Sequence, residues 1–334
     1  MAEHDTPINS AEIAGLWGIY INNTAARCVM TYFLEKVEDP EIREVIKLGF
    51  SQSEKQIQDV KKLFNEVQLP VPIGFTEEDV FPEAPRLFSD PFFLQYLNNM
   101  SILGMTAGSF ALATAAHKDV LTIQIGVINQ ALELHLIVKE LALEKGIFIR
   151  SPYIPFPDTV EFASKQSYLG TLFGKQRPLN VIEMTHIFNN IQTNFIGKSL
   201  MLGFAQVTQD PELKAYYLRG KNIAQKHITL FSTILENEDI PGPRFWDTIV
   251  TAETAAPFSD KLMLFHASAM SAAGIANYGA GMAASPRRDI GLKYSRILVE
   301  VSLYAEDGAN LMIDNGWLEE PPQSPDREHL IKKK

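Results

Sequence analysis

The chain of 334 residues contains a single cysteine, Cys28. One cysteine cannot form an internal disulfide, and it excludes a zinc ribbon and a two-cysteine redox centre. Such sparse use of cysteine is typical of a reducing compartment. We therefore expect a cytoplasmic protein whose domains are stabilised by burial of apolar surface alone.

Sequence signatures of several enzyme classes are also missing. The chain has no glycine-rich phosphate loop and no nucleophile elbow. It has no convincing strand alternation and no uninterrupted run of ~20 apolar residues. Its two most apolar windows, 92–116 and 262–284, are broken by asparagine, glutamine and histidine. We expect neither a membrane span nor an obvious catalytic centre, so an enzymatic role stays open but is disfavoured.

Positive charge is scarce, with 30 Lys and Arg against 40 Asp and Glu, for a formal net charge of −10. A nucleic acid or an anionic membrane attracts a basic surface. We therefore predict no nucleic-acid partner and no membrane partner.

The sequence contains an internal repeat. A shift of 171 residues aligns Asp39-Pro40-Glu41 with Asp210-Pro211-Glu212, and a shift of 170 aligns Phe88-Ser89-Asp90 with Phe258-Ser259-Asp260. A period of this length indicates a duplicated domain, since small-unit solenoids repeat every ~20–50 residues. Each residue can therefore be compared with its counterpart in the other copy.

Helical periodicity predicts four helices in each copy. They are expected at 10–37, 40–67, 90–115 and 118–145, then at 180–208, 211–237, 258–284 and 287–315. Proline-rich connections of about 20 residues join the second and third helices. Extended chain covers ~3.3 Å per residue, so such a connection can return along a whole helix. This pattern predicts an all-α chain of two tandem ferritin-like four-helix bundles, each with one long crossover.

The predicted domains are a first bundle at 1–157, a linker at 158–179 and a second bundle at 180–334. Asp158 is a candidate cap for a short helix in the linker, and the nearby aromatic residues predict that the linker packs on the surface.

The third helix of each copy is rich in small residues, which allow close approach between helices. We infer that the two copies, or two chains, pack there, and packing within one bundle is an equal alternative. These residues are Gly104, Ala107, Gly108, Ala111, Ala113, Ala115 and Ala116, then Ala267, Ala269, Ala272, Ala273, Gly274, Ala276, Gly279, Ala280 and Gly281.

The second copy carries a partial set of ligands for a carboxylate-bridged metal pair. Glu183 and His186 have Glu-x-x-His spacing, and His227, His266 and Glu300 follow on the next three helices. Iron or manganese is the cofactor that such a site would hold.

Three observations weigh against the metal. A second Glu-x-x-His is missing, and His186 lies nearly opposite the apolar stripe of its helix. The first copy keeps only the glutamate, and has other residues in place of the remaining four. These are Glu12 at the position of Glu183, and Gly15, Gln56, Tyr96 and Gln130 at the other positions. A buried histidine can also satisfy its polarity by hydrogen bonds alone. We therefore favour a structural polar network, with no cofactor.

Four stretches together resemble the tandem members of the family named domain of unknown function 3231, from Bacillus-type spore formers. The stretches are Gly74-Phe75-Thr76, Gly203-Phe204-Ala205-Gln206-Val207, Pro257-Phe258-Ser259-Asp260 and Asn315-Gly316-Trp317. The resemblance covers nearly the whole chain and implies a ferritin-like bundle. Some relatives carry a spore coat label, which implies deposition in the spore and a structural or interaction role.

The leading interpretation is a non-enzymatic structural or interaction protein associated with spores or stress. Its expected partners are a second copy or spore coat proteins, bound through the Gly/Ala-rich third helices. The alternative is a metal-binding protein or oxidoreductase with a degenerate site in the second bundle only. A third class, a small molecule bound between helices, has no positive support from the residues.

Overall fold

The computed structural model describes residues 7–172, 174, 176–243 and 249–332. Within these residues the fold is all-helical, and strand-like pairing is limited to two isolated bridges. The first copy contains α1 (Ser10–Lys36), α2 (Pro40–Glu66), α3 (Asp90–Thr114) and α4 (Lys118–Glu144). The second contains α5 (Val181–Val207), α6 (Pro211–Glu236), α7 (Asp260–Ala284) and α8 (Arg288–Asp314), and a short α9 (Arg327–Lys332) follows. The prediction of two tandem helical bundles is confirmed.

Helix starts follow from local side-chain chemistry that is repeated in both copies. Asn9 and Asn180 cap α1 and α5, and each takes part in a capping box with a glutamate three residues later. Asp39 and Asp210 cap α2 and α6, where proline occupies the first helical position.

Side-chain contacts define the helix directions in the first bundle. Asn23 of α1 meets Gln56 of α2, and Gln56 meets Gln130 of α4. Glu12, at the start of α1, accepts hydrogen bonds from the backbone just before α4. Hence α1 and α4 run parallel to each other, whereas α2 and α3 run the opposite way. The crossover of residues 67–89 returns the chain along the bundle, as the proline-rich connection predicted.

The two crossovers pair with each other across a pseudo-two-fold axis. Val80 forms an antiparallel bridge with Phe258, and Phe88 forms one with Val250. Under the 170-residue shift Val80 corresponds to Val250 and Phe88 to Phe258, so the two bridges are equivalent. Four main-chain hydrogen bonds extend this pairing. They run from Phe81 N to Pro257 O, Thr251 N to Leu87 O, Ser89 N to Ile249 O and Ser259 N to Asp79 O. The two copies therefore share one continuous core.

This junction differs from the predicted one. The copies meet at the crossovers and at the starts of α3 and α7, where Tyr96 contacts His266. Further along, Gly104, Gly108 and Gly281 face side chains of their own bundles, whereas alanines such as Ala107 and Ala272 are exposed. A Cβ at Gly104 would lie 3.1 Å from Ala131 of α4. Close approach within one bundle thus accounts for the glycines that pack against α4.

The linker differs from its prediction too. The helix expected after Asp158 does not form, and the helical structure described between 158 and 179 is a single 3-10 turn, Gln166–Leu169. Tyr153, Phe156 and Phe162 are exposed, so their rings do not pack on the surface. The ten residues expected to be helical, 159–168, have no buried face that could offset the cost of helix nucleation.

Among the described helices, α4 is long and apolar enough to cross a membrane by length and composition alone. It is not one of the two apolar windows singled out in the sequence, and one of its faces contributes Val127, Leu134 and Val138 to the bundle core.

Candidate functional site

The five candidate ligands lie in three separate places. Glu183 joins two helix starts. Its carboxylate accepts from the backbone N–H of Asn180 and of Arg287, and from the guanidinium of Arg177. Glu12 makes the same backbone contacts in the first copy, with Asn9, Ala116 and His117. The glutamate is therefore present in both copies because it caps two helices at once. His186 lies half-buried one turn along α5, away from this cap.

His266 belongs to the junction between the copies. Its Nδ1–H faces the carbonyl oxygen of Leu262 at 3.1 Å, so Nε2 accepts from the hydroxyl of Tyr96 at 2.7 Å. Burial lowers the pKa of His266 to about 4, because the site offers no carboxylate to the charged ring. His266 is therefore a neutral structural residue of the junction, where it contacts Tyr96 and Leu262.

His227 and Glu300 do come together. His227 is fully buried on α6, with Nε2 3.1 Å from Glu300 Oε2 and Nδ1 2.8 Å from the hydroxyl of Tyr278. The Tyr278 hydroxyl also lies 2.9 Å from Asn194 Oδ1. Lys226 binds the outer side of Glu300. These residues form a relay from the surface to the interior, which we call the His227 relay: Glu300, His227, Tyr278 and Asn194.

Electrostatics defines the protonation of this relay. Burial lowers the pKa of His227, although Glu300 opposes the shift. Burial also acts to raise the pKa of Glu300, but hydrogen bonds from Lys226 and His227 outweigh it and lower that pKa. At neutral pH the relay therefore holds a charged Glu300 and a neutral His227. Burial raises the pKa of Tyr278, so its phenol stays protonated.

The relay faces a half-open cavity of about 70 Å³ between the four helices of the second bundle, closed on one side by Asn99 of α3 in the first. Most of its surface is apolar, although eight of its seventeen lining residues have polar side chains. Its lining includes Gly197, Met201, Gly220, Ile223, Ala224, Met270, Ala273, Gly274 and Val301, with the polar residues Asn99, Thr193, Asn194, His227, Ser271, Asn277, Tyr278 and Tyr304. Gly220 is required here, because a Cβ at this position would collide with the Tyr304 ring.

The first bundle has an amide version of the same relay. Asn23 donates to Gln56 at 2.8 Å, and Gln56 donates to Gln130 at 2.8 Å. Under the repeat these residues are the counterparts of Asn194, His227 and Glu300, while Gly108 replaces Tyr278. Only the second copy of the relay can therefore gain or lose a proton.

The five candidate ligands do not fit iron or manganese as one site. Such ions take several oxygen and nitrogen ligands at once. In the described part of the chain no group of three or more His, Cys, Asp and Glu side chains is placed to hold a metal ion. His227 and Glu300 alone are adjacent, and Lys226 already neutralises Glu300.

Sequence reasoning missed Tyr278 and Asn194. Asn194 had a signal, since the first copy has Asn23 at the same position under the 171-residue shift. Tyr278 had none, because an aromatic residue among glycines and alanines is indistinguishable from ordinary core.

Comparison with known proteins yields a family but no activity. No curated protein matches the chain. A solved structure described as a "putative spore coat protein" from Bacillus halodurans matches with 15% identity and a TM-score of 0.43. The match covers 46% of this chain and 99% of the other. A family profile described as "Protein of unknown function (DUF3231)" matches twice, at residues 1–160 and 168–330. The chain therefore belongs to this family of unknown function and contains its domain in two tandem copies.

Proposed function

We propose that this chain is a non-enzymatic binding protein whose second bundle holds a small uncharged molecule with an apolar body and a hydrogen-bond donor at one end. The observation that carries the proposal is the cavity on which the His227 relay opens. Cavities with a mostly apolar lining and a few convergent polar groups are the usual form of small-molecule sites.

The lining supports an uncharged molecule. His227 is the one histidine that lines the described cavity, burial lowers its pKa and keeps it neutral, and no lysine, arginine, aspartate or glutamate lines the cavity. A carboxylate or phosphate would enter without a counter-charge, at a high cost of desolvation. An ammonium would face the same cost, since Glu300 is separated from the cavity by His227 and is paired with Lys226.

A count of protons supports a donor group. In the neutral relay His227 Nε2–H donates to Glu300, so Nδ1 needs a proton from outside the ring. The Tyr278 hydroxyl has one proton for two acceptors, His227 Nδ1 and Asn194 Oδ1. The Asn194 amide is oriented by its own bond to the Asn190 carbonyl. The relay is therefore one donor short, and a ligand hydroxyl or N–H supplies it.

The volume limits the buried part of the ligand. A single water needs ~10–15 Å³ on the same measure, and an engineered cavity that holds benzene has about 150 Å³. The 70 Å³ of this cavity therefore suit a short alcohol or the polar end of a longer molecule that extends through the opening.

Binding can be tested on the intact protein. Native mass spectrometry detects a retained molecule, and ligand-observed NMR with 1-propanol and phenol as probes measures weak binding. We expect Asn194→Leu to weaken binding at least tenfold, because the Tyr278 proton then serves His227 Nδ1 alone and the relay lacks no donor, and the control Gln56→Ala, in the first relay, to leave it unchanged. Absence of both a retained molecule and probe binding at millimolar concentration contradicts the proposal. So does unchanged binding by Asn194→Leu.

The association with spores or stress is a proposal that rests on the family resemblance. We infer in addition that both bundles are of the ferritin-like type, on the basis of their helix directions and single long crossovers. Deposition in the spore would follow synthesis in the cytoplasm. A deletion strain should show altered spore assembly or resistance, and normal spores in that strain would remove this part of the proposal.

The metal-dependent alternative remains testable by elemental analysis of protein purified without a histidine tag. The separation of Glu183, His186 and His266 from the His227 relay leads us to expect less than ~0.2 iron, manganese or zinc per chain. A stoichiometric metal that His227→Gln removes would reinstate the alternative.

A further inference from the structure

The outer side of α3 and α4 in the first bundle is apolar and exposed. Ile125, Leu132 and Leu136 on α4 are 48%, 44% and 56% exposed. Ser101 of α3 lies 3.2 Å from His135, and the Gly108 Cβ position lies 2.9 Å from Ile128. This antiparallel register places the outward residues of the two helices side by side. We call these residues the α3–α4 face: Ile102, Met105 and Ser109 on α3, with Ile125, Ile128, Leu132 and Leu136 on α4.

The second copy shows that the fold does not require apolar residues there. Under the 170-residue shift, Ile125, Leu132 and Leu136 become Ser295, Ser302 and Glu306, and Ile102 becomes Ala272. Ser295, Ser302 and Glu306 are exposed at the same places on α8. Met105 and Ile128 keep apolar counterparts in Ile275 and Leu298, but the exposed positions of Ile125, Leu132 and Leu136 are polar in the second copy, so these three apolar residues serve something other than folding.

The face also lacks charge. No Asp, Glu, Lys or Arg occurs from residue 91 to 116 or from 120 to 132, whereas the matching stretch of α8 contains Lys293, Arg296 and Glu300. A charged partner has no complementary group to bind on this face. A second copy of the same face does not repel it, even though the chain carries a net charge of −10.

The area of the face suits self-association. On α4 the outward apolar stripe runs from Leu121 to Leu136, over 16 residues or ~24 Å of helix. Two helices about 10 Å apart present a strip roughly 20 Å wide, hence ~500 Å² on each side. A two-fold contact would bury about 1,000 Å² in total, the lower limit for a specific interface. We propose that the α3–α4 face binds the same face of a second chain, in a dimer with two-fold symmetry.

A membrane surface is a poorer occupant. Helices that lie on membranes combine an apolar face with lysine or arginine along its border and with interfacial tryptophan. The α3–α4 face has no tryptophan, and lysine borders its α4 stripe at the two ends alone, as Lys118 and Lys139. The opposite side of α4 is committed to the bundle core, through Val127, Leu134 and Val138.

The test uses the full chain in analytical ultracentrifugation from about 1 to 200 µM, a range that suits an interface of this size. The variant Ile125→Ser/Leu132→Ser/Leu136→Glu carries the residues that the second copy has at these positions. The control Val299→Ser/Leu303→Ser removes exposed apolar side chains from α8, which are 62% and 58% exposed. We expect dimers for the wild type and the control, and a dissociation constant raised at least tenfold for the triple variant.

A second measurement does not depend on the stability of the triple variant. Cys28 is buried, so a single introduced cysteine in Leu132→Cys reports on the face, and a short bis-maleimide should cross-link it as a dimer. A monomeric wild type at 200 µM, or self-association by the triple variant equal to that of the wild type, overturns the proposal. So does binding of the wild-type monomer to phosphatidylcholine vesicles without dimerisation.

Discussion

At the scale of residues, the pair formed by Tyr96 and His266 is a contact that two different copies in one chain can form and two identical copies cannot. The two positions are counterparts under the 170-residue shift, and they contact each other on the pseudo-two-fold axis. A symmetric dimer of identical chains would bring two identical residues together at such a position. In the tandem chain one partner donates and the other accepts, so the hydrogen bond is complete without a water or an ion.

Tyr96→Phe tests this bond. The variant leaves His266 Nε2 without its donor inside the core, which costs about 1–3 kcal/mol. We expect the free energy of unfolding at pH 7, from urea denaturation, to fall by that amount. Tyr153→Phe is the matched control, since the Tyr153 ring is exposed and its hydroxyl should contribute less than about 0.5 kcal/mol. Equal effects of the two substitutions would contradict the role of the pair.

The pH dependence of stability carries a second residue-scale prediction. The pKa of His266 is about 4 in the folded chain against 6.5 as its ordinary value, so the unfolded chain binds the proton more tightly. The stabilisation is complete above pH 6.5 and is lost as the pH falls toward 4, by roughly 3 kcal/mol in total. His266→Gln should flatten stability between pH 6.5 and 4.5, as measured by urea denaturation at each pH. An unchanged slope would show that His266 titrates normally.

At the scale of elements, glycine at position 203 of α5 is a packing requirement of the junction. A Cβ there would lie 2.7 Å from the Phe88 ring, which belongs to the first crossover. On the other side of the axis the counterpart residue, Tyr32, instead stacks edge-on against Phe258 at 5.2 Å. One half of the junction packs Tyr32 against Phe258, and the other half packs Phe88 against Gly203.

Gly203→Ala should destabilise the chain by about 1–3 kcal/mol, because overpacking outweighs the gain of up to ~1 kcal/mol in helix propensity. Gly197→Ala in the same helix is the control, since its Cβ would meet only the end of Met270 at 3.8 Å. We expect the control to be neutral or stabilising in thermal denaturation. If both variants are stabilised, the ring of Phe88 moves aside and the junction is looser than the packing indicates.

The elements were largely predictable from the sequence, and the site was not. Caps such as Asn9 and Asp39 act within four residues, so the sequence itself contains both partners of each bond. The junction of Val80 with Phe258 joins residues far apart in sequence, and no local pattern reports it. The five candidate ligands lie apart from one another for the same reason. Glu183 and His227 share a bundle, but spacing along separate helices does not fix their separation across it.

At the scale of the whole molecule, the two copies have diverged in complementary ways. The first bundle has a neutral amide relay inside and an apolar face outside. The second has a titratable relay beside a cavity inside and a charged outer helix. We infer a division of roles in which the first bundle makes contacts between chains and the second bundle binds a small molecule. Because the junction merges the two cores, neither role requires the copies to move apart.

This division predicts an uneven response to acid. Below about pH 6.5 the unfolded chain protonates His227 more readily than the folded second bundle does, because burial lowers the pKa of this histidine, so stability is lost as the pH falls. In the first bundle Asn23, Gln56 and Gln130 cannot titrate. His135 on α4 also has a lowered pKa, but it is only half-buried, so its contribution should be smaller. His266 at the junction lowers the stability of both copies over the same range, so hydrogen exchange should show a larger loss of protection in α6 and α8 than in α1 and α2.

The first copy supplies the residues for the control of this prediction. His227→Gln/Glu300→Gln converts the second relay into the amides that the first bundle has at the same positions. Glu300 stays charged between pH 7 and 5 because its pKa is lowered, and His266 acts on both copies through the junction, so His227 drives the difference between α6 and α1. The double variant should lose no more protection in α6 than in α1 over this range. Equal losses of protection in α1 and α6 of the wild type would mean that the His227 relay does not control the stability of its bundle. A double variant that keeps the extra loss in α6 seen in the wild type would mean the same.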